Sequence, residues 1–114
     1  MKRCYSLKRN KEFRYVYRRG NSKAHPLLVL IWVKARGNQG VHAGFSVSKK
    51  IGNSVVRNRV KRRLREALTP WLPRIKDGYN LIFIAREAVV KAEFTAVSDA
   101  VHNLLRRADV LKKD

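Results

Sequence analysis

"VHAGFSVSKKIGNSVVRNRVKRRLREALTP", Val41 to Pro70, carries a strand, a turn and a helix in succession, and the rest of the fold is arranged around it. Val41, Ala43, Phe45 and Val47 alternate with His42, Gly44, Ser46 and Ser48, the period of two that marks a strand with one apolar face and one face of mostly small residues. After Gly52, either Asn53 or Ser54 is placed to cap a helix by accepting a hydrogen bond from a first-turn N–H. At about 100° per residue, Val56, Val60, Leu64, Ala67 and Leu68 share one arc while Asn58, Arg62 and Arg65 lie opposite, so one side docks and the other faces out. Pro70 ends this helix, because Thr69 before it is biased away from helical angles.

Upstream, Phe13, Val16 and Tyr17 fall at i, i+3 and i+4 between a capping Asn10 and Gly20, which predicts a short helix. "LLVLIWV" follows as a strand that is apolar on both faces, with Leu27, Val29, Ile31 and Val33 on one and Leu28, Leu30 and Trp32 on the other. Both faces of the sheet must therefore be covered. Gly37 and Gly40 bracket the turn into Val41. Downstream, "YNLIFIA" (79–85) reads as a buried strand, and "EFTAVSDAVHNLLRRA" as a helix with Phe94, Val97, Val101, Leu104 and Leu105 on one stripe. The order is αβββαβα at most, or αββαβα if only the strong strands count, and either one is an α+β sandwich of helices on a sheet.

With 114 residues the chain fits a single domain, 1–114, with one modest core. Lysine and arginine number 27 against 8 acidic residues, a net charge of +19 that predicts association with nucleic acid or an anionic membrane. The longest apolar run, Pro26 to Val33, is strand-sized and far short of the roughly 18 residues that span a bilayer. The basic N-terminus has no apolar block after it, so it is not a secretory signal, and a cytoplasmic location is expected. Cys4 stands alone, which excludes an intramolecular disulfide and a cysteine-rich zinc site.

The charge is densest from Arg57 to Glu66, where six cations accompany one carboxylate. Like charges at helical spacing oppose folding by roughly a few tenths of a kcal/mol per pair, and Glu66 alone cannot offset them. A bound polyanion can. A merely solvated charged face would alternate its signs, and this one does not. Arginine predominates, and its planar fork pairs bidentately with phosphate and stacks on bases. A membrane-surface helix would show a wider apolar face with exposed Trp, Phe or Leu. Arg57 sits in the first turn, where the helix dipole disfavours a cation and welcomes an anion, while Arg63 borders the apolar arc and can lay its stem over the core edge.

A strand, not a second helix, precedes this element, which argues against a helix-turn-helix reader of DNA. Single-stranded RNA held by stacking on a sheet is the better fit, with Phe13, Tyr15, Tyr17 and Trp32 as candidate aromatics unless they serve as core. The small face of the 41–48 strand either admits an extended chain or packs against a helix. Catalytic signals are weak. "GFSVSKKIGNS" lacks the spacing of a Walker loop, and His25, His42 and His102 lie in separate elements without matching carboxylates or cysteines.

"GFSVSKKIGNSVVRNRVKRRLRE", Gly44 to Glu66, closely resembles the signature of the bacterial ribonuclease P protein component: SKK, then GN, then RNRxKRxxRE, in order and without gaps. The similarity extends to the Phe13 to Gly20 helix, the apolar strand, and "YNLIFIA" with the helix after it. The resemblance implies a two-layer α/β sandwich in αβββαβα order, with a central four-stranded mixed sheet and a left-handed βαβ crossover, like ribosomal protein S5 domain 2. The general handedness rule would have pointed the other way.

It also implies the protein subunit of an endonuclease that matures the 5′ end of tRNA. In that enzyme the RNA subunit performs magnesium-dependent hydrolysis, and the protein binds the catalytic RNA and the 5′ leader of precursor tRNA. By position, Phe13, Tyr17, Ser46, Lys50, Arg57 and Asn58 would contribute to the leader site, and Arg59, Lys61, Arg62 and Arg65 to the RNA-subunit site. No catalytic side chain is implied; Mg2+ belongs to the holoenzyme, with no protein-only metal site, and one protein monomer per RNA and no membrane partner are expected. Ile31 departs from the pattern, since an aromatic commonly occupies that cleft position, and the adjacent Trp32 points to the opposite face of its strand. A ribosomal protein that binds rRNA, which shares the charge and the style of fold, is the alternative from a different class.

Overall fold

The structure, a computed structural model, describes residues 10–34 and 40–113, with side chains from Phe13 onward; Cys4, Gly37 and the Asn10 side chain fall outside them. Helix α1 (Asn10–Arg19) leads into strands β1 (Asn21–Ala24), β2 (Leu28–Lys34) and β3 (His42–Ser46). Helix α2 (Ser54–Leu68), strand β4 (Tyr79–Ala85) and helix α3 (Phe94–Arg107) complete the αβββαβα order. The short 3-10 turns Lys49–Ile51, Thr69–Arg74 and Glu87–Lys91 join these elements.

The strands form one mixed sheet in the order β1-β2-β4-β3. β2 is antiparallel to both β1 and β4, whereas β3 and β4 are parallel neighbours joined through α2. The parallel register sets Phe45 beside Phe83, their rings stacked at 6.2 Å, and sets Ser46 beside Ile84. Alternation then sorts the side chains. Leu28, Leu30, Ala43, Leu81, Phe83 and Ala85 enter the main core with Val60, Leu64, Ala67 and Leu68 of α2 and Val97, Ala100, Val101, Leu104 and Leu105 of α3. Ile31, Val33, Ile82 and Ile84 face the other way, where Phe13 and Val16 of α1 form a second, smaller cluster with them. Both faces of β2 are covered, as its sequence required.

β1 reads "NSKA" and is exposed throughout, so no apolar pattern announces it. It exists because α1 ends at the strand's doorstep and β2 offers a free edge. The connecting turn is closed by the His25 N–H donating to the Leu28 carbonyl (2.8 Å) and the Leu27 N–H donating to His25 Nδ1 (3.0 Å). Gly20 permits the close approach at the start of β1. A Cβ there would lie 2.5 Å from the Val16 carbonyl oxygen and 2.6 Å from Ile31 Cγ2.

Two details differ from the sequence reading. Thr69 keeps helical angles (φ −50, ψ −45), held by its hydroxyl donating to the Arg65 carbonyl at 2.6 Å, so Pro70 tightens the chain into a 3-10 turn instead of extending it. Phe94, expected on the buried stripe of α3, is 40% exposed because it opens the helix before its axis reaches the core, and burial begins at Val97.

Candidate nucleic-acid interface

The start of α2 is built by two residues. Gly52 lets the chain turn tightly against the helix, since a Cβ there would meet Val56 Cβ at 2.9 Å. The Asn53 side chain then accepts from the Val56 N–H (3.0 Å), which selects Asn53 over Ser54 as the cap. With Val60, Leu64, Ala67 and Leu68 buried, the rest of the helix is forced outward. Asn58, Arg59, Arg62 and Arg65 are exposed and Lys61 is half-buried. None of these four cations makes a hydrogen bond or ion pair among the described residues.

The two remaining cations behave differently. Arg63 donates from Nη1 to the Ala92 carbonyl (3.3 Å), tying α2 to the segment before α3. That is a structural contact. Arg57 is half-buried, and its Nε is buried with no hydrogen-bond partner among the described residues. No acidic residue occupies the first turn of α2. A desolvated guanidinium N–H and the positive end of a helix dipole thus converge where an anion would satisfy both.

The sheet adds a second surface. The β3–β4 register places His42, Gly44 and Ser46 on the same face as Ile82 and Ile84, the face that carries α1. α1 packs over β2 and β4 and brings half-buried Phe13 and 45% exposed Tyr17 to that face, with Tyr15 equally exposed. Trp32 packs into the main core on the opposite side, so it does not stand in for Ile31 under α1. Ser46, the exposed Lys50 and Arg57 follow one another along a single strand-turn-helix path. Asn58, expected in the leader group, lies on the outward arc with Arg62 and Arg65. The ten residues singled out by sequence therefore fall into two adjoining surfaces, the outer side of α2 and the α1 face of the sheet with its exit past Lys50.

A sequence model of the ribonuclease P family matches residues 1–109. The chain belongs to the ribonuclease P protein family. The ribonuclease P protein component of Brevibacillus brevis is 42% identical over 113 residues, covering 99% of this chain and 90% of that protein. Its counterpart from Clostridium kluyveri is 43% identical over 110 residues, covering 95% and 97%. Among solved structures, the RNase P protein of Staphylococcus aureus superposes with a TM-score of 0.87 at 30% identity, covering 95% of this chain and 98% of that one. The RNase P protein of Thermotoga maritima gives 0.80 at 25% identity, covering 90% and 96%. Family membership makes the chain a protein component of an RNA-processing ribonucleoprotein endoribonuclease.

Within this ribonuclease P family member, no three His, Cys, Asp or Glu side chains come together as a metal cage among the described residues. The histidines serve locally. His102 stacks on Trp71 at 4.1 Å, and His25 lies in the β1–β2 turn, where burial and then the charge of Arg107 lower its pKa. The sequence reading missed Arg86 and Glu87. They line an open cavity of about 530 Å3 together with Lys50, and no local pattern marks them, since only folding brings residue 50 beside residues 86 and 87.

Proposed function

We propose that this chain is the protein subunit of ribonuclease P that binds both the catalytic RNA and the 5′ leader of precursor tRNA, one protein per RNA, in the cytoplasm. The supporting observation is the cationic face of α2, unpartnered among the described residues, beside the sheet face that α1 covers with its exposed tyrosines. Arg59, Lys61, Arg62 and Arg65 neutralise phosphates of the RNA subunit, which relieves their mutual repulsion in the helix. Phe13 and Tyr17 stack on leader bases; Ser46, Lys50 and Asn58 contact the leader backbone; and Arg57 offers its orphaned Nε to a leader phosphate. No helix is long and apolar enough to cross a membrane among the described residues, and no membrane partner is proposed.

Hydrolysis belongs to the RNA, where magnesium would supply the attacking-water and leaving-group chemistry. The protein's share is positioning. By holding the leader it adds contacts that mature tRNA lacks, so affinity for precursor rises while affinity for product does not. The test adds the protein to a ribonuclease P RNA at low magnesium with precursors of graded leader length. Cleavage and precursor affinity should rise with leader length up to the reach of the cleft, with mature-tRNA binding hardly changed. Equal stimulation for every leader length refutes the leader site. Cleavage by the protein stripped of all nucleic acid refutes the division of labour.

A further inference from the structure

The turns Lys49–Ile51 and Glu87–Lys91 abut, and beside them opens a cavity of about 530 Å3 lined by Pro26, Lys50, Ile51, Ala85, Arg86 and Glu87. That volume lies within the roughly 300 to 1,000 Å3 of sites that hold small organic groups. Pro26, Ile51 and Ala85 give it apolar wall, Lys50 and Arg86 two cations, and Glu87 one carboxylate. Arg86 is anchored. Its Nη1 donates to the His25 carbonyl (3.4 Å) and its backbone N–H to the Leu27 carbonyl (3.0 Å). Glu87 is exposed and pairs with neither cation among the described residues.

A carboxylate beside a phosphate track repels it. In a chain of net charge +19 with 8 acidic residues, such a placement costs polyanion affinity unless the ligand returns a donor. Phosphates have no proton to give and a carboxylate only accepts, so the matching group is a ribose 2′-hydroxyl or a base edge, and of these only a base fills an apolar-walled cavity of this size. Guanine presents two adjacent N–H donors on its Watson–Crick edge, which a carboxylate can take together. Uracil presents one, flanked by carbonyl oxygens that repel it, while adenine and cytosine offer a single amino group.

We propose that this cavity receives one unpaired base of the precursor-tRNA leader, with Lys50 and Arg86 on flanking phosphates and Glu87 selecting guanine. The proposal rests on the leader reading above, which it shares through Lys50, and it adds a specificity-determining residue to that path. The apolar wall supplies the stacking surface, and Lys50 joins the cavity to the leader path.

The test uses the holoenzyme reconstituted on a ribonuclease P RNA, with precursor tRNAs carrying randomised leaders in competition and the cleaved leaders sequenced. The unsubstituted protein should enrich guanine over uracil at one leader position on the order of tenfold. Glu87→Ala should flatten that position while the leader-length effect persists. Glu87→Gln should broaden the preference, because an amide pairs one acceptor with one donor and every base edge can match that pattern. Guanine enrichment that survives Glu87→Ala overturns the assignment, as does a flat profile in the unsubstituted holoenzyme whose cleavage still depends on leader length. If leader length has no effect at all, the leader site falls and this pocket with it.

Discussion

Replacing Arg62 and Arg65 together by alanine separates RNA affinity from stability. Both side chains are exposed and make no hydrogen bond or ion pair among the described residues, so no folded-state contact is lost. Surface changes of this kind usually stay within about 0.5 kcal/mol, and relief of like-charge repulsion within the helix adds roughly a few tenths in the stabilising direction. Binding should respond very differently. Each phosphate contact contributes about 0.7 to 0.9 to the log-log slope of affinity against salt. Removing two should flatten the slope by about 1.4 to 1.8 units.

Arg63→Ala is the internal control on the same helix. It deletes the bond to the Ala92 carbonyl and the stem's packing, so it should cost about 0.5 to 1.5 kcal/mol of stability and leave the slope nearly unchanged. The assay is equilibrium binding to ribonuclease P RNA across a monovalent-salt series, paired with urea denaturation of each variant. An unchanged slope in the double variant, or equal flattening in Arg63→Ala, would refute the assignment of the outer face of α2 to phosphate.

Tyr17→Ala removes an exposed aromatic, so stability should hold while precursor affinity falls by about 1 to 3 kcal/mol, and only for substrates with a leader; titration with precursor and mature tRNA checks this. Gly20→Ala forces a Cβ into the Val16 carbonyl and Ile31, and overpacking of that kind should lower the unfolding free energy by about 1 to 3 kcal/mol in urea titrations. His25 has a pKa below its usual value through burial first and Arg107 second, so the unfolded chain binds its proton more readily than the folded one. Stability should therefore fall as pH drops through the ordinary histidine value of about 6.5. The fall should cease below the depressed folded value, and His25→Gln should remove that part of the pH slope in paired denaturation curves.

Much of this molecule is legible locally. The cap at Asn53, the buried arc Val60, Leu64, Ala67 and Leu68, and the two-faced strand around Leu30 each follow from spacing alone, because burial on one side of a regular element imposes its period on the sequence. Other features are not local. β1 has no apolar residue larger than Ala24 and is a strand only because β2 presents an edge to it. Thr69 looks like a helix breaker's neighbour, yet its N–H and its hydroxyl both donate to the Arg65 carbonyl and keep it helical.

Sequence by itself determined the α+β class and a basic helix whose charge exceeds anything its own carboxylates can balance. Helical and strand periodicity, together with arginine's chemistry, are properties of neighbouring residues and survive without knowledge of the whole. Only the tertiary structure decided how the cations divide their work. Arg59 and Arg63 are four residues apart on one helix, but α3's approach through Ala92 takes Arg63 into the scaffold and leaves Arg59 outside. The same dependence on packing sends Trp32 to the core, leaves Arg57 Nε without a partner among the described residues, and gathers Lys50, Arg86 and Glu87 around one cavity. Those relations come from the meeting of separate elements in space, where sequence distance carries no information.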